Sequence, residues 1–261
     1  MKFNPQKATE QIIAFIRDYY QKSKAKGAII GLSGGKDSSV VAMLMVKSLG
    51  HENVIGVWLP CHSRENDKDD ALEIAKFLNI KLIEFDLTNY YDNLAGNIMK
   101  KFKLNNDDIL DANINLKPRL RKDMLYYLAS VFSKQNNGLY LVCGTSNKCE
   151  RYVGYFTKGG DNVCDIAPIA DLYVDEVIKL GDYYNMPYHI IHKTPDDGLS
   201  NLSDEEKLGF SYDAVKKVII EEETGIRNSE VSTDIREKIL QAHKANLHKF
   251  DIPIFYKMKD S

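Results

Sequence analysis

Gly31-Leu32-Ser33-Gly34-Gly35-Lys36-Asp37-Ser38 stands between two apolar runs, Ala28-Ile29-Ile30 before it and Val40-Val41-Ala42-Met43-Leu44-Met45-Val46 after it. The first run has the length of a buried strand, and the second reads as a buried helix. A strand that turns through glycines into a helix start aims free backbone N–H groups at one point, where the helix dipole also favours an anion. Ser33 and Ser38 add hydroxyl donors, and Asp37 adds a carboxylate able to face a divalent cation. A phosphate site with a metal position beside it is therefore expected. The plainer alternative is a glycine turn in which Asp37 and Ser38 only cap the helix.

Spacing excludes two common nucleotide loops. The G-x-x-x-x-G-K-[S/T] loop needs four residues between its glycines, whereas three separate Gly31 from Gly35 and Asp37 intervenes before the serine. The fingerprint G-x-G-x-x-G has no match. What remains, S-G-G-x-D-S, resembles the pyrophosphate-binding loop of the ATP pyrophosphatase superfamily, whose members cleave ATP between its α and β phosphates.

Working outward, strand and helix patterns alternate. Strands are expected at 28–32, 54–59, 81–85, 139–143 and 165–169, and helices at 8–24, 38–49, 67–78, 116–134, 174–184, 210–223 and 231–247. Short apolar strands bounded by turns point to a parallel sheet covered on both faces. The fold class is thus α/β, with the site at the C-terminal edge of the sheet. The stripe Leu120, Met124, Tyr127, Leu128, Val131 suits a core or a subunit interface. Asn147 to Asp165 reads as a long polar loop, of the kind that carries function. The acidic run Asp67-Lys68-Asp69-Asp70 reads as a helix first turn suited to the dipole. Ser203-Asp204-Glu205-Glu206 resembles a capping box. With no repeat and no Pro/Gly-rich linker, a single domain over 1–261 is expected.

Composition narrows the functional classes. Thirty-five Lys+Arg against 37 Asp+Glu leave a formal charge of −2, which gives no basic footprint for nucleic acid. No apolar run approaches the ~20 residues of a membrane span, and Met1-Lys2-Phe3-Asn4-Pro5 opens no signal-peptide core. A cytoplasmic location is expected. Cys61, Cys143, Cys149 and Cys164 lack zinc spacing and suit buried thiols. His189 and His192 lie in a strand-like stretch, where an i, i+3 pair faces opposite ways and disfavours a metal.

Further segments narrow the resemblance. Asn115-Leu116-Lys117-Pro118-Arg119-Leu120-Arg121, then Gly144-Thr145-Ser146-Asn147-Lys148-Cys149-Glu150, then Gly154-Tyr155-Phe156-Thr157-Lys158-Gly159-Gly160-Asp161 occur in order. With Asp204-Glu205-Glu206-Lys207-Leu208-Gly209-Phe210-Ser211-Tyr212 and His243-Lys244, they resemble the NAD synthetases over nearly the whole chain. The resemblance implies a Rossmann-like parallel sheet with helices on both faces, and a homodimer. It also implies ATP-dependent amidation of deamido-NAD+ by ammonia through an acyl adenylate, releasing AMP and pyrophosphate.

By the same resemblance, Gly31, Leu32, Ser33, Gly34, Gly35, Lys36, Asp37, Ser38 and Thr145 bind ATP. Asp37 and Glu150 hold Mg2+. Arg119, Lys158, Asp165, His243 and Lys244 contact deamido-NAD+. Asp37 serves catalysis through the metal, and Asp161 meets the incoming nitrogen. Two positions depart from the family pattern. Val174 stands where many relatives have lysine, and Asp196 where many have Ser or Thr; both family positions contact ATP. Lys36 and Lys193 are the candidates to supply the missing cation. Free ammonia is the expected donor. The rivals are other ligases with this loop, such as GMP synthetase or the tRNA-thiolating enzymes, and a non-catalytic nucleotide-binding module.

Overall fold

The computed structural model describes residues 3–194, 203–251 and 256, so Asp196 lies outside the described residues. Helix α1 (Pro5–Ser23) starts where Asn4 accepts the Lys7 amide and Pro5 presets the first turn. Then follow β1 (Ala25–Gly31), α2 (Lys36–Leu49), β2 (Val54–Trp58), α3 (Glu65–Phe77), β3 (Lys81–Glu84), α4 (Thr88–Phe102) and α5 (Leu110–Gln135). After β4 (Leu139–Cys143) come α6 (Lys148–Val153), α7 (Val174–Tyr183), α8 (Tyr188–Ile191), α9 (Asp204–Leu208), α10 (Tyr212–Thr224) and α11 (Thr233–Asn246).

The four strands form one parallel sheet in the order β3-β2-β1-β4. From β1 the chain first adds β2 and β3 on one side, then returns to lay β4 on the other. A crevice opens where connections leave adjacent strands in opposite directions, and ligands of α/β sheets settle there. Here it falls between the C-terminal ends of β1 and β4.

Strand alternation divides the core. Ala28 and Ile30 pack with Ile16, Val41, Leu44, Met45, Val177, Leu180 and Ile190, which come from α1, α2, α7 and α8. Ile29, Ile55, Val57 and Val142 face Leu120, Met124, Leu128, Ala129 and Phe132 of α5. Tyr127, expected on that stripe, is instead exposed. A third cluster joins α6, α10 and α11 through Cys149, Val153, Val215, Ile219 and Ile239. All four cysteines are free thiols, and burial pushes each of them up. No described helix is long and apolar enough to cross a membrane.

Four expectations need correction. The stretch 165–169 makes only one bridge, Cys143 to Ile166, because Pro168 cannot donate and the Asp165 side chain takes the next ladder position. The expected loop 147–165 begins with helix α6, hidden by its brevity and by burying only Cys149 and Val153. Helix α5 starts at Leu110 rather than Leu116 and runs through Pro118. His189 and His192 lie on and just after the helical turn α8, not on a strand. His192 Nε2 is 2.8 Å from Asp182, and His189 Nε2 is 3.3 Å from Glu73.

Candidate active site

The loop after β1 is knit by its own hydroxyls. Leu32 N donates to Val57 O at 2.9 Å, continuing the sheet for one residue. Gly34 then turns at φ 77°, a conformation that costs an ordinary residue but not glycine. Gly35 N donates to Ser33 Oγ at 3.3 Å, and Ser38 Oγ donates back to Gly35 O at 3.1 Å. Gly35 supplies no side-chain cap to α2, so the helix start remains open toward the crevice. Neither Asp37 nor Ser38 caps the helix: Asp37 sits in its first turn with Oδ2 3.4 Å from the buried Lys36 Nζ. The structure thus does not support the plainer reading, in which these two residues only cap the helix.

Across the crevice, β4 leads through Gly144 and Thr145 to Asn147, which is 1% exposed. Asn147 Oδ1 accepts the Glu150 amide at 3.1 Å, and Asn147 N donates to Glu150 Oε2 at 3.1 Å, a reciprocal capping box. The remaining amide group, Asn147 Nδ2, donates to Asp37 Oδ1 at 3.1 Å. One asparagine thus ties both expected metal ligands into one constellation. Burial, and next the Asp37 charge, push the Glu150 carboxyl well above the ordinary range.

A cavity of 380 Å³ opens on these groups, lined by Gly31, Leu32, Ser33, Gly35, Lys36, Asp37, Ser38, Thr145, Glu150 and Asp161, among others. That volume suits a nucleotide-sized ligand. Asp161 accepts the Thr157 amide at 2.7 Å, and enclosure by the surrounding protein raises its carboxyl. Arg121 reaches the cavity wall while donating to Leu59 O at 3.1 Å and Ser63 Oγ at 3.3 Å. Among the described lining residues, the acids Asp37, Asp67, Glu150, Asp161 and Asp204 match the bases Lys36, Lys117, Arg121, Lys122 and Lys193 in number.

The other expected contacts lie outside this lining. Arg119 donates through Nε and Nη2 to Lys158 O, at 3.3 and 3.2 Å. Lys158 Nζ donates to His248 O at 2.6 Å. His243 stacks on Tyr152 at 4.1 Å and bonds its carbonyl through Nδ1, beside the exposed Lys244. These residues flank the 154–162 turn where it meets the end of α11. Asp165 has both oxygens engaged, by Val142 N and by Tyr126 hydroxyl.

Several residues at or beside the site were given no site role in the sequence reading. Asn147 was legible as a cap, since N-x-x-E before a helix is a capping signal. Asp204, read only as part of a capping box and of a family segment, is buried and bonded by Tyr155 hydroxyl at 3.0 Å. The Asp67–Asp70 run, read as serving only the helix dipole, gives both carboxylates to Lys193.

The sequence matches the NAD synthase family over residues 8–253. The chain belongs to that family. The NH3-dependent NAD+ synthetase of Carboxydothermus hydrogenoformans is 35% identical, with 97% of this chain and 98% of the relative covered. Its counterpart in Methanocaldococcus jannaschii is 37% identical over 93% of each chain. Among solved structures, NMN synthetase from Francisella tularensis superposes with a TM-score of 0.85 at 30% identity, covering 98% of this chain and all of that one. The NH3-dependent NAD synthetase from Campylobacter jejuni gives 0.80 at 26% identity, with coverage of 98% and 100%. The NAD synthase family thus shares both the α/β fold and the full length of the chain.

Proposed function

We propose that the chain is a ligase that amidates deamido-NAD+ to NAD+, using ATP and ammonia. The observation that carries this reading is the pair Asp37 and Glu150, joined through the buried Asn147 and lining one cavity with the open start of α2. The chemistry explains why such a site is needed. A nicotinic carboxylate cannot lose oxide to ammonia, so AMP is first transferred to it and pyrophosphate departs. Ammonia then attacks the acyl carbon, and AMP leaves.

The protein's part is positioning and charge management. Loop amides and the Ser33 and Ser38 hydroxyls cradle the phosphates, with Thr145 on the facing wall. Asp37 and Glu150 fit Mg2+, which takes one or two carboxylates together with phosphate oxygens and water. The raised Glu150 carboxyl supports that fit, since two crowded acids gain from a shared cation. A Mg2+ held by Asp37 and Glu150 would supply charge to offset that of a departing pyrophosphate. Asp161, a stronger base than an ordinary carboxylate, is placed to take a proton from the incoming nitrogen. Arg119, Lys158, Asp165, His243 and Lys244 are assigned to the dinucleotide, with the first two already joined beside the cavity.

The chain acts as one catalytic unit over 1–261, since α6 gives Cys149 and Val153 to the third cluster and Glu150 to the lining of the sheet crevice. A homodimer is supported by the exposed apolar row Tyr90, Leu94, Ile98 and Phe102, spaced four apart along α4. Free thiols fit a reducing, cytoplasmic setting. The test is incubation with ATP, Mg2+, ammonium and deamido-NAD+. NAD+, AMP and pyrophosphate should form in equal amounts; ADP in place of AMP rejects the mechanism. Similarity to the Francisella NMN synthetase favours a second reading, with a mononucleotide acceptor, so nicotinate mononucleotide is assayed in parallel.

A further inference from the structure

The first turn of α3 packs directly on the phosphate loop. A Cβ on Gly34 would lie 2.6 Å from Asp67 O and 3.0 Å from Asp70 Cβ. Two carboxylates therefore stand beside a loop that we read as receiving polyphosphate, where their charge opposes binding. Lys193, from beyond α8, answers both. Its Nζ donates to Asp67 Oδ1 at 2.7 Å and to Asp70 Oδ2 at 2.6 Å. The two acids are 14% exposed and the lysine 30%, so the ammonium keeps an open side. Lys193 and Asp67 line the cavity, whereas Asp70 does not.

We propose that Lys193 is a phosphate-binding residue, and that Asp67 and Asp70 are positioning residues holding its ammonium beside Gly34. An ammonium has three N–H donors; among the described residues two of them are committed, which leaves one to offer a phosphate oxygen. A purely structural tie is a weaker account. Asp70 has a second neighbour in His189, whose Nε2 is 3.5 Å away, so the lysine is not the sole polar group beside that acid. The other lining cations are engaged elsewhere: Lys36 lies 3.4 Å from Asp37, Lys122 pairs with Asp123, Lys117 lies over the Tyr91 ring, and Arg121 is anchored on Leu59 O and Ser63 Oγ.

The proposal rests on the reading that ATP occupies this cavity, and it is tested by binding as well as turnover. Titration calorimetry of the intact protein with pyrophosphate in Mg2+ should show Lys193→Met weakening affinity about ten-fold, the scale of one charge-assisted hydrogen bond. Lys193→Arg should retain most of the affinity. In turnover, Lys193→Met should raise the KM for ATP while leaving that for deamido-NAD+ in place. Unchanged pyrophosphate affinity, or both KM values rising together, overturns the assignment. Should Lys193→Met fail to fold, Asp70→Asn carries the test: it leaves the lysine one anchor and should lower pyrophosphate affinity about three-fold, and no change refutes it. Wild-type protein that binds pyrophosphate but forms no NAD+ rejects the activity while leaving the Lys193 assignment standing.

Discussion

Asn147→Ala separates two duties of one buried side chain. The substitution removes the acceptor for the Glu150 amide and the donor to Asp37 Oδ1, each a 3.1 Å bond, while the bond from its own backbone to Glu150 survives. Loss of an N-cap costs about 1 kcal/mol. A hydrogen bond to a charged partner contributes about 1.5–3 kcal/mol. The lower end applies to Asp37, which is 18% exposed and has Lys36 at 3.4 Å. Together these give a loss of about 2.5–3 kcal/mol in urea unfolding, close to additive because the bonds serve different elements. Asn147→Asp sharpens the reading. It preserves the cap but sets a third carboxylate against two, so activity should fall while added Mg2+ recovers part of it. In a double-mutant cycle, Asn147→Ala with Asp37→Ala should couple by at least about 1 kcal/mol. An Asn147→Ala protein as stable as the parent, with an unchanged Mg2+ requirement, refutes the idea that this amide organises the site.

Other perturbations follow from the same geometry. In metal-free protein the folded chain holds a proton on Glu150 that the unfolded chain releases. Stability therefore declines as pH rises from the usual glutamate value of ~4.3 through the raised one, and Glu150→Gln should remove that decline; parallel pH–stability curves argue against it. Gly34→Ala places a left-handed residue against Asp67 O, so it should cost about 1–2 kcal/mol and raise the KM for ATP, with a wild-type melt and KM as the contrary result. Ile98→Asp, on the exposed α4 row, should shift sedimentation from dimer to monomer, and a monomeric parent disproves the assigned interface. Arg236 holds the Glu221 carboxyl down at about 2. The stability difference between parent and Glu221→Gln should accordingly persist above the ordinary ~4.3 and vanish as pH falls toward the lowered value, whereas a pH-independent gap contradicts the pairing.

Much of this protein was legible in its chain because the signals are local. Glycine spacing between a strand run and a helix run marked the turn from β1 into α2, and alternation of short apolar segments marked a parallel sheet. Capping patterns located α6 and α9 in principle, although only the second was read. Where local signals conflicted, the reading failed: Pro168 ended a strand pattern, and Pro118 hid the first turns of α5.

What only the tertiary structure decided is which polar groups meet. Asn147 reaches Asp37 across 110 residues, and Lys193 reaches Asp67 across 126. Hydrophobic periodicity reports which face of an element turns inward, because burial of apolar area depends on little else. A hydrogen bond depends on position to within a fraction of an ångström, set jointly by elements far apart in sequence. The loop and its paired acids were therefore readable residue by residue, while the amide that joins them and the two acids that hold Lys193 beside Gly34 became visible only in the folded chain.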